Sequence, residues 1–122
     1  MQLSKTEELL ITHLWSLGKA YMKDLINCYE DPKPAATTIA TLLKRMKDKG
    51  YINYESDGRS RLYYAKVKKE DYVNGQFQGF MNNFFEDSAS QFASFFTKKT
   101  NMSKTELEEL RALIDQQIER KS

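Results

Sequence analysis

At 122 residues, with 30% charged and 40% hydrophobic residues, the chain has the composition of one compact globular domain or a small domain with an appendage. Two full domains are excluded, and no apolar run approaches the roughly 18 residues needed to span a bilayer. The start, Met1-Gln2-Leu3-Ser4-Lys5, lacks the apolar stretch of a signal peptide, so a cytoplasmic location with no membrane partner is expected.

The single histidine, His13, and single cysteine, Cys28, offer neither a catalytic triad nor three metal ligands, so no enzyme activity and no cofactor or metal are expected. A net charge of +2 is too small to announce a nucleic-acid partner, so its distribution matters. Residues 1–66 carry 11 Lys/Arg against 8 Asp/Glu, while residues 67–122 carry 8 against 9. The cations are densest at Lys44, Arg45, Lys47, Lys49, Arg59 and Arg61.

Ser4-Lys5-Thr6-Glu7 is a capping-box pattern, and Leu10, Leu14 and Leu17 follow at helical spacing, which predicts a first helix from about Lys5 to Leu17 stopped by Gly18. Glu7 and Glu8 read as charges at its exposed start. Met22, Leu25, Ile26 and Tyr29 predict a second helix ending before Asp31-Pro32-Lys33-Pro34. The third helix is expected over 35–49, with Ile39, Leu42, Leu43 and Met46 as its buried stripe. At about 100° per residue, Thr37, Thr41 and Lys44 point away from that stripe, with Thr38 and Arg45 on its flank.

From Tyr51 the period changes to two, and Asp57-Gly58 marks a turn between two strands whose connection, 56–61, carries Arg59 and Arg61. A helix with a hydroxylated, cationic outer face followed by a basic hairpin suits DNA, because a helix fits the major groove while a ribbon reaches the backbone. The fold expected is mainly α with a small β-hairpin wing: a winged helix-turn-helix over 1–68, then a C-terminal helical dimerisation region over 69–122.

All seven phenylalanines lie between Phe77 and Phe96. Ser88-Ala89-Ser90-Gln91 and Ser103-Lys104-Thr105-Glu106 are further capping-box patterns that divide this region into helices. The cluster can serve as a ligand pocket, an internal core or an interface between protomers. An interface is the expectation, because seven phenylalanines exceed what one helical arm hides from water. Its residues are Phe77, Phe80, Phe84, Phe85, Phe92, Phe95 and Phe96, joined by Leu107, Leu110 and Ile114 from the last helix.

Trp15, the run Thr37-Thr38-Ile39-Ala40-Thr41-Leu42-Leu43-Lys44-Arg45-Met46, Lys49-Gly50-Tyr51-Ile52, Gly58-Arg59 and Leu62-Tyr63-Tyr64 together resemble the penicillinase-repressor family, the BlaI/MecI/CopY group. The likeness covers nearly the whole chain. It implies a homodimeric repressor bound to a palindromic double-stranded operator, with Thr37, Thr38, Thr41 and Arg45 at the major groove and Arg59 and Arg61 on the wing. Lys44 joins them from geometry alone. In the β-lactam-responsive branch a protease cuts an Asn-Phe bond, which the resemblance places at Phe95-Phe96, where Phe95 stands in place of the asparagine. The copper-responsive branch carries a cysteine-rich tail that is not found here. Two rival readings are a small-molecule-responsive regulator of the MarR or PadR kind and a winged helix used only for protein contacts.

Overall fold

The computed structural model describes residues 2–122, which form two compact units that divide between Asn74 and Gly75. The first unit is a winged helix: α1 (Lys5–Leu17), β1 (Lys19–Ala20), α2 (Met22–Asn27), α3 (Ala36–Asp48), β2 (Ile52–Asp57) and β3 (Ser60–Ala65), followed by the start of α4 (Lys69–Phe85). The strands form an antiparallel sheet in the order β1-β3-β2.

The first helix has the expected bounds because its start and stop signals both operate. Ser4 Oγ accepts from the Glu7 amide at 3.2 Å while Glu7 Oε1 accepts from the Ser4 amide at 2.8 Å, closing the capping box. Gly18 ends it with φ 82, a conformation that side chains with a Cβ resist. The buried apolar residues of α1 are Leu10, Ile11 and Leu14, while Leu17 is exposed. Helix α3 buries Ile39, Leu42, Leu43 and Met46, as expected, at about 1.5–3 kcal/mol each.

β1 went unread in the sequence, since two residues carry no period. Its pairing of Ala20 with Tyr63 and Lys19 with Tyr64 nevertheless ties the end of α1 to the wing. In the hairpin, Tyr54 pairs with Tyr63 and Ile52 with Ala65, so Tyr63 is the buried residue of β3. Asp57 pairs with Ser60, leaving Gly58 and Arg59 as a two-residue turn with φ 62 at Gly58, which glycine tolerates best.

One charge belongs to the core. Glu7, expected at an exposed helix start, is 1% exposed and pairs with Lys49 Nζ at 2.8 Å. Burial pushes its carboxyl up, but the bonds from Lys49 and from Ser4 outweigh that and hold it below the usual carboxylate range. Its Oε2 is buried with no hydrogen-bond partner. Glu8 accepts from the Tyr72 hydroxyl at 2.6 Å, and Trp15 Nε1 donates to the Val67 carbonyl at 2.9 Å. The bond to Glu8 ties the first turn of α4 to α1, and the first unit runs to Asn74 rather than to the expected boundary at residue 68. Burial, then Glu8, pushes the Tyr72 hydroxyl up to about 12.

The second unit comprises the rest of α4 with α5 (Ala89–Lys99) and α6 (Lys104–Lys121). Glu86 and Asp87 take positive φ at the break after α4, and Ser88 Oγ caps α5 by accepting from the Gln91 amide at 3.1 Å. The Ser103–Glu106 box opens α6 with both reciprocal bonds. Met81 is the single buried side chain of this unit among the described residues.

Candidate nucleic-acid interface

The side of α3 opposite its buried stripe presents Thr37, Thr38, Thr41, Lys44 and Arg45, all exposed. Thr41 Oγ1 donates its proton to the Thr37 carbonyl at 3.0 Å, which leaves its lone pairs and methyl group facing outward. Lys44 pairs with Asp48 at 3.1 Å, but both side chains are largely solvated, so the pair contributes little and is readily exchanged for a phosphate.

The wing divides its two arginines between different places. Arg59 occupies the turn, whereas Arg61 lies within β3 on the side of Tyr54 and Tyr63. The Arg61 guanidinium sits 4.5 Å from the Tyr54 ring centroid, and Lys47 Nζ lies 5.8 Å from the same ring. A cleft of about 390 Å³ is bounded by Ala40, Lys44, Lys47, Tyr54 and Arg61. Arg61 therefore faces α3 across this cleft rather than projecting from the hairpin tip, as the sequence had suggested. Tyr54 and Lys47 were missed as partners of this face. The signal was available, because Arg61 lies two residues from Tyr63 and so shares its side of the strand.

Lys49, counted among the dense cations, is bound to Glu7 and contributes no charge to this surface. The wing acids also have partners: Glu55 pairs with Lys19 at 2.9 Å, and Asp57 accepts a hydrogen bond from the Tyr21 hydroxyl, which raises the Tyr21 pKa.

The Penicillinase repressor family profile matches residues 3–116. The chain belongs to the penicillinase-repressor family. Among relatives of the family, the chain is 25% identical over 115 residues to the methicillin resistance regulatory protein MecI of Staphylococcus aureus strain N315, covering 93% of this chain and 94% of that one. It is 27% identical over 84 residues to the penicillinase repressor of Bacillus licheniformis, covering 69% and 66%, so the chain spans just under two thirds of that relative. A solved structure of Bordetella bronchiseptica BpsR, reported with 6-hydroxynicotinic acid regulating its DNA binding, aligns at 14% identity and TM-score 0.49 over 94% of this chain and 79% of that one. As a member of the penicillinase-repressor family, the chain is a DNA-binding transcriptional repressor with a winged-helix fold.

The residues expected at an interface between protomers divide into two groups. Phe85, Phe92 and Phe96 are half-buried, and Phe92 packs against Phe77, Phe85 and Phe96 at 5.3, 5.6 and 5.7 Å. Phe77, Phe80, Phe84 and Phe95 remain exposed, Phe84 to 71%. On α6, Leu107 and Ile114 are exposed and Leu110 is half-buried, while Leu113 and Ile118, absent from the expected set, are exposed as well. No helix among the described residues is long and apolar enough to cross a membrane.

Proposed function

We propose that this repressor acts as a homodimer on a palindromic operator. Each protomer lays α3 into a major groove, where Thr37, Thr38, Thr41 and Arg45 meet base edges or the groove rim and Lys44 neutralises phosphate. Arg59 and Arg61 hold the adjacent backbone. The observation that carries this reading is the two-sided character of α3: one face is sealed in the core, and the other offers threonines and cations beside a cation-lined wing.

The exposed apolar side chains of α4, α5 and α6 supply the surface for pairing, with Phe77, Phe80, Phe84, Phe95, Leu107 and Ile114 at its centre. Phe85, Phe92, Phe96 and Leu110 back it from within each protomer. Two half-sites about one helical turn apart would match a two-fold pair. Joining the two contacts raises affinity through effective concentration.

Relief by a protease at Phe95–Phe96 carries a physical condition. The bond lies inside α5, and the next carbonyl along the chain, that of Phe96, accepts from the Thr100 amide at 3.1 Å and hydroxyl at 2.6 Å. A protease reaches it only after α5 opens locally.

The test is selection of bound duplexes from a random pool, combined with sedimentation of the free chain. Recovery of an inverted repeat and sedimentation as a dimer are expected. A non-palindromic consensus bound by a monomer would overturn the proposal.

A further inference from the structure

A second cleft, of about 550 Å³, opens between the start of α2, α3 and the wing. Its lining includes Lys23, Arg59, Ser60 and Arg61, together with Tyr21 and Ala40. Three cations thus converge on one opening whose lining contains no carboxylate. Among the described residues, none of Lys23, Arg59 and Arg61 takes part in a salt bridge.

The neighbouring wing acids each have a partner, although both keep their charge. Glu55 is held by Lys19 and Asp57 by the Tyr21 hydroxyl, both from the segment that leads into α2. That segment therefore engages the wing's two acids, and α2, which it leads into, presents Lys23 beside the wing's arginines. Ala40, exposed on α3, carries only a methyl group at the mouth, so the opening stays accessible from the side of the recognition helix.

We infer that this cleft seats a backbone phosphate of the bound duplex, with Lys23 as a DNA contact outside both α3 and the hairpin. The inference rests on the proposed docking of α3 and the wing, since a groove-bound α3 carries this cleft to the groove rim. A phosphate there accepts from Lys23, from the Ser60 hydroxyl and from the arginines, none of which must first give up an ion pair. Such a contact fixes register on the duplex and carries no base information.

The experiment uses the full chain, a duplex selected from a random pool, and an unrelated duplex of equal length, with affinity followed by fluorescence anisotropy between 50 and 200 mM chloride salt. Each phosphate contact contributes a slope near 0.9 in log affinity against log salt, so that fourfold salt increase weakens binding about 3.5-fold per contact. Lys23→Gln should remove that factor for each protomer engaged, equally on both duplexes, and Lys23→Arg should restore it. An unchanged slope, or a loss confined to the selected duplex, would overturn the inference. Replacing chloride by inorganic phosphate at equal ionic strength tests the other source of the same chemistry. Lys23-dependent displacement of DNA is expected, since free phosphate then competes for the seat the duplex occupies; phosphate binding to the unmodified chain that leaves its DNA affinity unchanged would make the cleft a free-anion site and overturn the inference.

A parallel selection with Thr41→Ala separates this inference from the reading beneath it. If that variant recovers an unchanged consensus while Lys23→Gln lowers the slope, the phosphate seat stands and base reading by Thr41 falls. If the consensus shifts and the slope does not, the seat falls alone.

Discussion

Lys49→Met should destabilise the winged-helix unit because it strands a carboxylate. Glu7 is 1% exposed, and its Oε1 receives Lys49 Nζ and the Ser4 amide, both at 2.8 Å. Removing one partner of a buried pair costs about 3–5 kcal/mol, since the remaining charge stays in a poorly solvated site. Lys49 retains 26% side-chain exposure, so the lower end, about 3 kcal/mol, is expected. For a unit of this size that lowers Tm by about 12–24 °C. Trp15, the one tryptophan, is hydrogen-bonded inside the same unit and reports its unfolding in urea by fluorescence.

The pH dependence distinguishes a lost ion pair from simple loss of packing. In the unaltered chain Glu7 titrates below its ordinary value of 4.5, so its stabilising contribution is present above that pH and lost as pH falls through the lowered folded value. In Lys49→Met the lysine bond is gone and burial pushes the carboxyl up. Protonation then relieves the variant at a higher pH while it weakens the unaltered chain, and the gap between them narrows toward acid. Lys49→Met with Glu7→Leu should recover all but about 1 kcal/mol, the cost of leaving the Ser4 amide without its acceptor. A deficit below about 1 kcal/mol, or one independent of pH between 7 and 4, would refute the assignment of Glu7 as a buried, paired charge.

Arg59→Ala with Arg61→Ala should lower the salt slope of DNA binding by about 1.8 per protomer if each arginine neutralises one phosphate; an unchanged slope in anisotropy titrations would remove the wing from the interface. Thr41→Ala should alter base preference by about 1–3 kcal/mol at one position of each half-site, measured by competition between single-substitution duplexes, whereas uniform weakening would make Thr41 a phosphate contact. Phe84→Asp places a charge on a side chain 71% exposed in the protomer, so the chain should stay folded by circular dichroism yet sediment as a monomer. Tyr72→Phe should cost about 1.5 kcal/mol through the lost bond to Glu8. With the Tyr72 pKa raised from 10.0 to about 12, that contribution is present below pH 10 and fades as pH rises toward 12, so the variant and the unaltered chain should converge there.

What could be read from the sequence depended on how local its cause was. The capping boxes at Ser4 and Ser103 and the stripe Ile39, Leu42, Leu43, Met46 act within one or two turns, and the helices follow them. The outward face of α3 was legible for the same reason, being what remains once the stripe is buried. Glu7 was misread because its capping role is local while its ion pair reaches Lys49, 42 residues away. Arg61 was placed at the wing tip because hairpin register, not composition, decides that it faces Tyr54 and α3. Lys23 and Tyr21 carried no pattern at all; only the pairing of β1 with β3 brings the start of α2 beside the wing.

The two units bury their apolar residues differently, and that difference bears on how repression could be released. The first unit encloses a core running from Leu3 to Tyr63, so its stability is internal. The second buries only Met81 among its described residues while Phe77, Phe80 and Phe84 lie exposed at spacings that share one face of α4. On the proposed dimer, the second unit gains its missing cover from the partner, and its stability therefore rises with protomer concentration while that of the first does not. Unfolding should then show two steps, of which only the one silent to Trp15 shifts with concentration. Separation of the C-terminal helices would leave each winged helix folded yet remove the joint hold on two half-sites, a loss on the order of 10²–10⁴ in affinity. On the proposed dimer, a signal acting on α5 or α6 thus needs no path into the DNA-reading surface, because breaking the pair is sufficient.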